Sequence, residues 1–318
     1  FRSSPPAGLT ELLRLDWIRA GPRVKPSLLL LHGFLGCKED WAPLLWTGGG
    51  VGASSSACSS SNSSSGGGGG IGMSGSGSSG VCAGMREGGR EDGLALDYDC
   101  VAVDLPGHGS SAVETAGAAS SVVYSLPVTA LAVIQLLDRL GIEKCAVMGY
   151  SMGGRLAMYL AQQYPTRVSA LIVVSAHPGL KTEGERLDRR EDDRRLGERL
   201  GQAAREGGEA WDAFLRWWYS KTLWGRLAEK SPGYGRMMQR RRGALARGED
   251  PGGLVRSLLG MSVAQQPSMW EWVRAGTLPT LVVYGMNDSK YSGLADELRG
   301  GLMGEGGREG GRGGGGGG

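Results

Sequence analysis

Residues 141–165 read GIEKCAVMGYSMGGRLAMYLAQQYP, and this stretch decides the fold. A short apolar run, 145–148, leads into the turn GYSMG at 149–153, and residues with helical periodicity follow. Strand, G-x-S-x-G turn and helix in this order are typical of a nucleophile elbow, which exposes the hydroxyl of its serine, here Ser151, above a sheet. A chance glycine–serine turn is the competing interpretation, because short patterns have many false positives. The flanking strand and helix favour the elbow.

Outside this stretch, strands and helices alternate along the chain. Apolar runs typical of buried strands cover 27–31, 100–104, 171–174 and 280–284, and helical patterns cover 39–45 and 122–140. Such alternation predicts a parallel sheet with helices on both faces. Active sites in these sheets lie at the carboxyl ends of the strands, where Phe34, Ser151 and Asp288 fall. We therefore predict an α/β fold with its site at that edge of the sheet.

Glycine is unusually abundant, with 58 of 318 residues. Between Gly48 and Gly80, 26 of 33 residues are Gly or Ser, and residues 300–318 include 13 glycines among 19. Neither segment contains the G-x-x-x-x-G-K-[ST] pattern of a phosphate-binding loop. We expect a disordered insertion over 48–93 and a disordered tail over 300–318, since such compositions bury almost nothing.

Charge and cysteine content exclude several classes of function. With 35 basic and 32 acidic residues the net charge is +3, which gives no general argument for nucleic acid or an anionic membrane as a partner. No apolar run approaches the roughly 18 residues that span a bilayer. Five scattered cysteines without a C-x-x-C pair indicate neither a disulfide framework nor a zinc site. We predict no nucleic-acid partner, no membrane span, no metal and no cofactor.

The segment 178–266, between the apolar runs 171–174 and 280–284, interrupts the alternation. It is helical and rich in arginine and tryptophan, and a helical insertion between core strands is expected to cover the strand ends as a lid. For a single lid arginine the default is a solvated surface, whereas some could face inward to meet carboxylates, which suit the guanidinium fork. The predicted organisation is a core over 24–47, 94–177 and 267–299 and a lid over 178–266.

Several motifs together resemble one family. HGFLG at 32–36, DLPGHG at 104–109 and the elbow are typical of α/β hydrolases, and GYSMGGR at 149–155, SAHPGL at 175–180, QPSMW at 266–270 and GMNDSKY at 285–291 narrow the resemblance. The chain resembles the 2-succinyl-6-hydroxy-2,4-cyclohexadiene-1-carboxylate synthases, which eliminate pyruvate in menaquinone and phylloquinone synthesis. The chain is also similar to the last module of the longer multidomain phylloquinone-pathway protein of plants and algae. A sequence that starts with Phe1 would suit such a module.

The resemblance implies an α/β-hydrolase fold with a helical lid, a lyase reaction on a small polycarboxylate, and specific residues for it. In this family the serine acts as a base on a ring carbon, so that no acyl-enzyme is required. The implied residues are Ser151 as the active-site serine, Asp288 as the triad acid, Phe34 and Met152 as N–H donors of the oxyanion hole, and Tyr150, Arg155, Arg189 and Trp218 as substrate ligands. A further lid arginine is expected near Arg242 or Arg247.

The chain departs from the family in its catalytic triad. The family carries a histidine in a Gly-His turn beyond the aspartate, but none of the three histidines of this chain follows Asp288. We expect structural roles for His32 and His108, while His177 lies at the entrance of the lid. Serine without a neighbouring base is a poor nucleophile and a poor base. Either the sequence is cut short before the final strand and helix of the fold, or the chain is an inactive relative.

Three functions remain open on the sequence. The synthase reaction accounts for the elbow and the basic lid. A generic carboxylester or C–C bond hydrolase accounts for the elbow alone, and a non-catalytic binding protein is favoured only by the missing histidine. The location would be the chloroplast for a phylloquinone-pathway protein and the cytoplasm otherwise.

Overall fold

The computed structural model describes residues 13–46, 93–113, 121–225, 227–285, 288, 291–294 and 296–297. The predicted insertion, apart from Gly93, and the predicted tail lie outside these residues. The strands are β1 (Leu13–Arg14), β2 (Trp17–Ala20), β3 (Ser27–Leu31), β4 (Asp99–Val103), β5 (Ala112–Val113), β6 (Cys145–Tyr150), β7 (Val168–Val174) and β8 (Thr280–Val283).

Six of these strands form one sheet in the order β2-β4-β3-β6-β7-β8. All neighbours pair in parallel except β2, which runs antiparallel to β4. The predicted parallel sheet is therefore confirmed, and β3 has the predicted bounds. The sheet also includes a strand before residue 24, where we expected the core to begin. Strand β2 is fixed there because Arg19 forms an ion pair with the fully buried Asp99 of β4, at 2.5 Å.

Helices cover the sheet and fill the connections between its strands. The α-helices are α1 (Ala42–Leu45), α2 (Leu94–Asp97), α3 (Leu126–Arg139), α4 (Met152–Gln163), α5 (Glu183–Glu206), α6 (Gly208–Tyr219), α7 (Leu227–Lys230), α8 (Tyr234–Arg242), α9 (Pro251–Gly260) and α10 (Trp270–Arg274). Short 3₁₀ helices occupy Lys38–Trp41, Ser121–Tyr124, Thr222–Trp224 and Leu245–Arg247. The helix predicted at 122–140 is thus split, because Pro127 stands in the first turn of α3, where proline suits the start of an α-helix.

Helices α5 to α9 lie between β7 and β8 in the chain and form the predicted helical segment. Thr182 begins α5 with a capping box, in which its hydroxyl accepts the N–H of Glu185. The helices enclose a hydrophobic cluster of their own that includes Leu200, Trp211 and Leu254. Leu35, which follows β3, belongs to the same cluster, so these helices pack on the turn at the carboxyl end of β3.

Strand β8 lies at the edge of the sheet that the described residues form. Two of its side chains, Leu281 and Val283, are 57% and 38% exposed. Most residues after β8 lie outside the described part, so the absence of a final strand and helix stays a prediction.

Across the described residues, no helix is both long and apolar enough to pass through a lipid bilayer. In the same part of the chain, His, Cys, Asp and Glu side chains form no group of three that could hold a metal ion.

Candidate active site

Ser151 stands in a strained turn between β6 and α4. Its φ of 51° and ψ of −108° lie in a region that residues other than glycine rarely adopt. The Ser151 N–H donates to Val174 O at 2.8 Å, and its carbonyl accepts the Arg155 N–H at 3.0 Å. These bonds hold the turn against β7 and start α4, so the predicted elbow is confirmed as a structure.

The two glycines of the motif are required by close backbone contacts. A Cβ added to Gly149 would lie 2.3 Å from Gly153 O, and one added to Gly153 would lie 2.1 Å from Leu31 O. Because both contacts are with backbone atoms, no side-chain movement could relieve them. The second contact also presses the end of β3 against the elbow, which sets the turn after β3 beside Ser151.

The predicted oxyanion-hole donors are the N–H groups of Phe34, in the turn after β3, and of Met152, at the start of α4. Phe34 is in the tight turn after β3, where the Gly36 N–H donates to Gly33 O at 2.9 Å. Met152 is the first residue of α4, and the first N–H groups of a helix have no partner within it. A Cβ on Gly33 would lie 2.7 Å from the Tyr150 ring, so the turn and the elbow are in direct contact.

Two buried histidines brace the turn after β3. His32 Nε2 accepts the Leu105 N–H at 2.9 Å, and His108 Nε2 accepts the Leu35 N–H at 3.2 Å. The ring proton therefore resides on Nδ1 in both residues, where it faces Gly33 O at 2.8 Å and Pro106 O at 3.2 Å. Burial lowers the pKa of both imidazoles, so they are neutral. Their expected structural roles are confirmed, and each ring nitrogen is already engaged.

A buried carboxylate completes this brace. Asp104 accepts the backbone N–H and the ammonium of Lys38, both at 2.7 Å, and the Ser110 N–H at 2.9 Å. The Gly109 N–H of the same turn donates to the Glu249 carboxylate at 2.7 Å. Burial raises the pKa of Glu249 to about 7. Glu249 precedes α9, so it ties the helical lid segment to the turn after β4.

Asp288 lies near the elbow. Its Oδ1 accepts the Tyr291 N–H at 3.2 Å, and its charge contributes, after burial, to raising the pKa of Tyr150 and of Tyr291. The structure thus brings Asp288 close to the residue that precedes Ser151. His177 Nδ1 accepts the Gly179 N–H at 3.0 Å, so this nitrogen is not free to donate to Asp288, and the His177 ring packs edge-on against Trp270.

Arg155 projects from the first turn of α4 into a partly buried environment. Its Nη1 donates to Met261 O at 2.5 Å and to Gln266 Oε1 at 3.3 Å. Burial and, next, the charge of Arg189 lower the pKa of Arg155 to about 10. Two guanidinium groups therefore lie near each other beside the elbow, and the charge of Arg189 contributes to the lowered pKa of Arg155.

Arg189 is held by a buried carboxylate of its own helix. Its Nε donates to Asp193 at 2.8 Å, and Asp193 also accepts the Ser262 hydroxyl at 2.5 Å. The Arg189 side chain remains 37% exposed, whereas that of Asp193 is only 3% exposed. Asp193 can thus orient Arg189 while part of the guanidinium stays accessible.

Trp218 lies over the turn after β3. Its ring meets Phe34 edge-on, with centroids 5.8 Å apart, and meets Trp224 at 5.9 Å. The indole N–H groups of Trp218 and Trp224 are both buried, and no hydrogen-bond acceptor for them lies among the described residues. A buried donor without an acceptor costs about 1–3 kcal/mol, so these two groups are suited to a ligand oxygen.

Near the expected further lid arginine, the structure buries Arg241, whereas Arg242 and Arg247 are exposed; which of them binds substrate stays a prediction. Arg242 pairs with Asp212, and Arg247 donates to the Arg240 carbonyl. Burial alone would lower the pKa of Arg241, but Tyr219, Asp40 and Cys37 outweigh it and raise the pKa. The ion pair with Asp40, which lies in the 3₁₀ helix Lys38–Trp41, fastens α8 to the core. Helical phase was the missing signal, because buried Met238 lies three residues before Arg241.

The mostly parallel sheet and the strained serine elbow define an α/β hydrolase, and a family model described as "alpha/beta hydrolase fold" matches residues 69–291. Within this class, the chain belongs to the 2-succinyl-6-hydroxy-2,4-cyclohexadiene-1-carboxylate synthase family. It is 30% identical to the putative synthase of that name from Bacillus subtilis (strain 168), over 87% of this chain and 79% of that protein.

Two further comparisons agree with this placement. "Protein PHYLLO, chloroplastic" of Arabidopsis thaliana is 27% identical over 85% of this chain, but the match spans only 12% of that much longer protein. The structure of MenH from S. aureus superimposes with a TM-score of 0.60 at 21% identity, covering 89% of this chain and 84% of that one. The latter likeness supports the fold, and the resemblance seen in the motifs is confirmed by the relatives.

Proposed function

We propose that this chain acts on a polycarboxylate in the reaction for which its relatives are named, forming 2-succinyl-6-hydroxy-2,4-cyclohexadiene-1-carboxylate with release of pyruvate. The observation that carries the proposal is the pair Arg155 and Arg189 beside the elbow. Burial first, and then the charge of Arg189, lower the pKa of Arg155 to about 10, so an anion that binds beside Arg155 would relieve both costs. A neutral ester would leave Arg155, whose two described acceptors are neutral oxygens, without an anionic partner.

The reaction needs a proton taken from a ring carbon and a C–O bond broken. Ser151, as the alkoxide that forms when its hydroxyl loses a proton to solvent, would accept the ring proton. The electron pair left on the ring would move to expel the enolate of pyruvate, and this enolate would take up a proton on carbon to give pyruvate. The N–H groups of Phe34 and Met152 would stabilise the developing negative charge. Arg155, Arg189, Tyr150 and the indole N–H of Trp218 would hold the substrate, and its remote carboxylates would fix the reacting carbon near Ser151.

The missing histidine limits the rate that these residues can provide. Both ring nitrogens of His32 and of His108 are engaged, and Nδ1 of His177 is bound to backbone. We propose that the 318-residue chain therefore binds the substrate but turns it over slowly, at a rate set by the oxyanion hole and binding. Such contributions leave about 10³–10⁴-fold catalysis in triad enzymes. This feature is also what favours the second candidate, a non-catalytic binding protein.

Calorimetric titration with the tricarboxylate substrate tests the substrate class, and pyruvate release, coupled to NADH oxidation by lactate dehydrogenase, tests the reaction. We expect binding by the wild-type chain and by Ser151→Ala, with slow pyruvate release that Ser151→Ala removes. Binding with no release in either protein would support the binding-protein alternative. If the chain instead fails to bind the tricarboxylate but cleaves neutral esters, the proposal is wrong and the generic hydrolase is correct.

The cellular setting is part of the same proposal. Because PHYLLO is named as chloroplastic and this chain matches a small part of it, we propose a role in quinone biosynthesis, in the chloroplast if the pathway is that of phylloquinone. Imaging of a fluorescent fusion of the natural full-length protein would test the location.

A further inference from the structure

Both acceptors of Arg155 outside its own helix come from the segment 261–266, directly after α9. Met261 O and Gln266 Oε1 both bind the same nitrogen, Nη1, at 2.5 and 3.3 Å. No described residue accepts a hydrogen bond from Nε or Nη2 of Arg155. The Nε–Nη2 edge is one of the two edges with which a guanidinium binds a carboxylate through parallel hydrogen bonds. The described residues thus occupy one nitrogen of the guanidinium and leave a bidentate edge open.

Gln266 is placed to maintain this arrangement. Its side chain is fully buried, and its Nε2 donates to His177 O at 2.9 Å. An amide flipped by 180° would put its NH₂ group against the Arg155 donors and its oxygen against the His177 carbonyl, so one orientation satisfies both partners. His177 begins the lid entrance, and the Gln266 carbonyl accepts from Arg186 of α5 at 2.8 Å. Gln266 therefore joins Arg155 to the base of the lid.

The neutral charge of Gln266 is as significant as its position. A glutamate here would form an ion pair with Arg155 and occupy the charge that a substrate carboxylate needs. An amide oxygen holds the guanidinium in place but leaves its net charge uncompensated. The Met261 carbonyl, the second acceptor, is also neutral.

We propose that Gln266 is a positioning residue for carboxylate recognition. It fixes Nη1 of Arg155 and so turns the Nε–Nη2 edge toward a carboxylate of the substrate, while contributing no charge of its own. The proposal rests on the proposed function only in that Arg155 binds a substrate carboxylate.

The test uses the full chain and 2-succinylbenzoate, a stable aromatic dicarboxylate that mimics the ring and the succinyl chain, with its dimethyl ester as the uncharged probe. Calorimetry would compare wild type, Gln266→Met, Arg155→Ala and the double variant, with Gln265→Met as the control because Gln265 is exposed. We expect Gln266→Met to weaken dicarboxylate binding about tenfold and to leave the diester unchanged. In the Arg155→Ala background the same change should have no further effect, because Gln266 acts through Arg155.

The outcomes separate this inference from the proposed function. If Arg155→Ala weakens the dicarboxylate but Gln266→Met binds like Gln265→Met, the inference is wrong and the proposed function stands. If Arg155→Ala has no effect, both are wrong. Equal weakening of the dicarboxylate and the diester by Gln266→Met would show a purely structural role and overturn the inference.

Gln266→Glu decides the question should Gln266→Met fail to fold. This variant keeps the shape of the side chain and an acceptor for Arg155, but it adds a competing negative charge. We expect at least tenfold weaker dicarboxylate binding with an unchanged diester. Unchanged or tighter dicarboxylate binding would overturn the inference.

Discussion

Two regions beside Ser151 differ in how completely their polar groups are hydrogen-bonded within the protein. On the side of the turn after β3, His32, His108 and Asp104 each accept a backbone N–H, from Leu105, Leu35 and Lys38 respectively. Burial keeps both imidazoles neutral. On the lid side, Arg155 and Arg189 are charged neighbours, and the indole N–H of Trp218 is buried without an acceptor among the described residues. Among the described residues, the first region satisfies its own hydrogen bonds, whereas the second leaves hydrogen-bond donors that a ligand could satisfy.

This difference indicates which region a substrate completes. A brace whose polar groups are all paired gains nothing from a ligand, and its role is to hold the N–H groups of the turn in place. Cations and donors that are left partly unpaired raise the free energy of the unliganded protein, and binding of an anion removes part of this penalty. The two regions should therefore respond differently to mutation: the braced side through stability, the lid side through affinity.

The largest effect is expected from breaking the packing of the braced side. In Gly153→Ala the new Cβ would collide with Leu31 O, so the backbone of β3 or α4 must move, and we expect a loss of at least about 3 kcal/mol in the free energy of unfolding. Urea titration followed by far-UV circular dichroism measures it. Gly141→Ala is the control, because no atom lies within 4 Å of its Cβ and only its φ of 69° is unfavourable. A similar loss in both variants, about 1–2 kcal/mol, would contradict the close contact.

The second prediction concerns charge on the lid side. Arg189→Ala should weaken binding of the tricarboxylate substrate about ten- to a hundredfold, since a charge-assisted contact contributes roughly 1.5–3 kcal/mol. Arg190→Ala is the matched control, because Arg190 pairs with Glu183 at the surface. Calorimetric titration of both variants gives the comparison. Equal affinities in the two variants would remove Arg189 from the site.

The third prediction uses acid to probe the braced side. Because burial lowers the pKa of His32 and His108, the unfolded chain takes up protons below about pH 6.5 that the folded chain does not. Their contribution to stability is complete above that pH and falls as the pH decreases, by at most about 1.4 kcal/mol per pH unit for each histidine. Comparing the wild-type chain with His108→Gln cancels the other titrating groups.

The urea-derived stability of His108→Gln should accordingly depend less on pH between 7 and 5 than that of the wild type. Glu249, whose pKa is raised to about 7, acts with the opposite sign in both proteins. A slope that is the same in the two proteins would mean that His108 titrates normally and is not the neutral acceptor of the Leu35 N–H.

The smallest effect sharpens the comparison within a single residue type. Trp211 Nε1 donates to the Arg241 carbonyl at 3.0 Å, whereas Trp218 Nε1 has no acceptor among the described residues. Trp211→Phe should therefore cost about 1 kcal/mol more unfolding free energy than Trp218→Phe. Conversely, Trp218→Phe alone should weaken substrate binding a few-fold. Thermal or urea unfolding and calorimetry together would detect a reversal of this order, which would contradict an open donor at Trp218.

The sequence predicted well those parts of the molecule that depend on local pattern. The buried run of β3 and the glycine spacing of the elbow each have a physical cause within a few residues, such as the contact of Gly153 with Leu31 O. Strand β2 was missed, because its sequence WIRA contains an arginine and only the buried partner Asp99 explains its position in the sheet.

The lid side was less predictable because its contacts are distant along the chain. The family resemblance supplied Arg155, Arg189 and Trp218, and their roles in binding stay predictions. It included Gln266 in a motif but gave it no role, because the partner of Gln266, Arg155, lies 111 residues away. It left the further arginine open between Arg242 and Arg247, whereas burial singles out Arg241. In a run of three arginines, only the packing of α8 against the core decides which one turns inward.

The separation between Arg155 and its two acceptors sets the order in which the site forms during synthesis. Met261 and Gln266 follow Arg155 by 106 and 111 residues, which a ribosome adds in on the order of ten seconds. Strands β3, β4 and β6 and the elbow can assemble in that interval, while the guanidinium is still untethered. A nascent chain thus has its serine turn before it has carboxylate selectivity. In refolding, binding of a dicarboxylate should lag behind burial of the sheet. The length of that lag would measure how fast the segment 261–266 docks on Arg155.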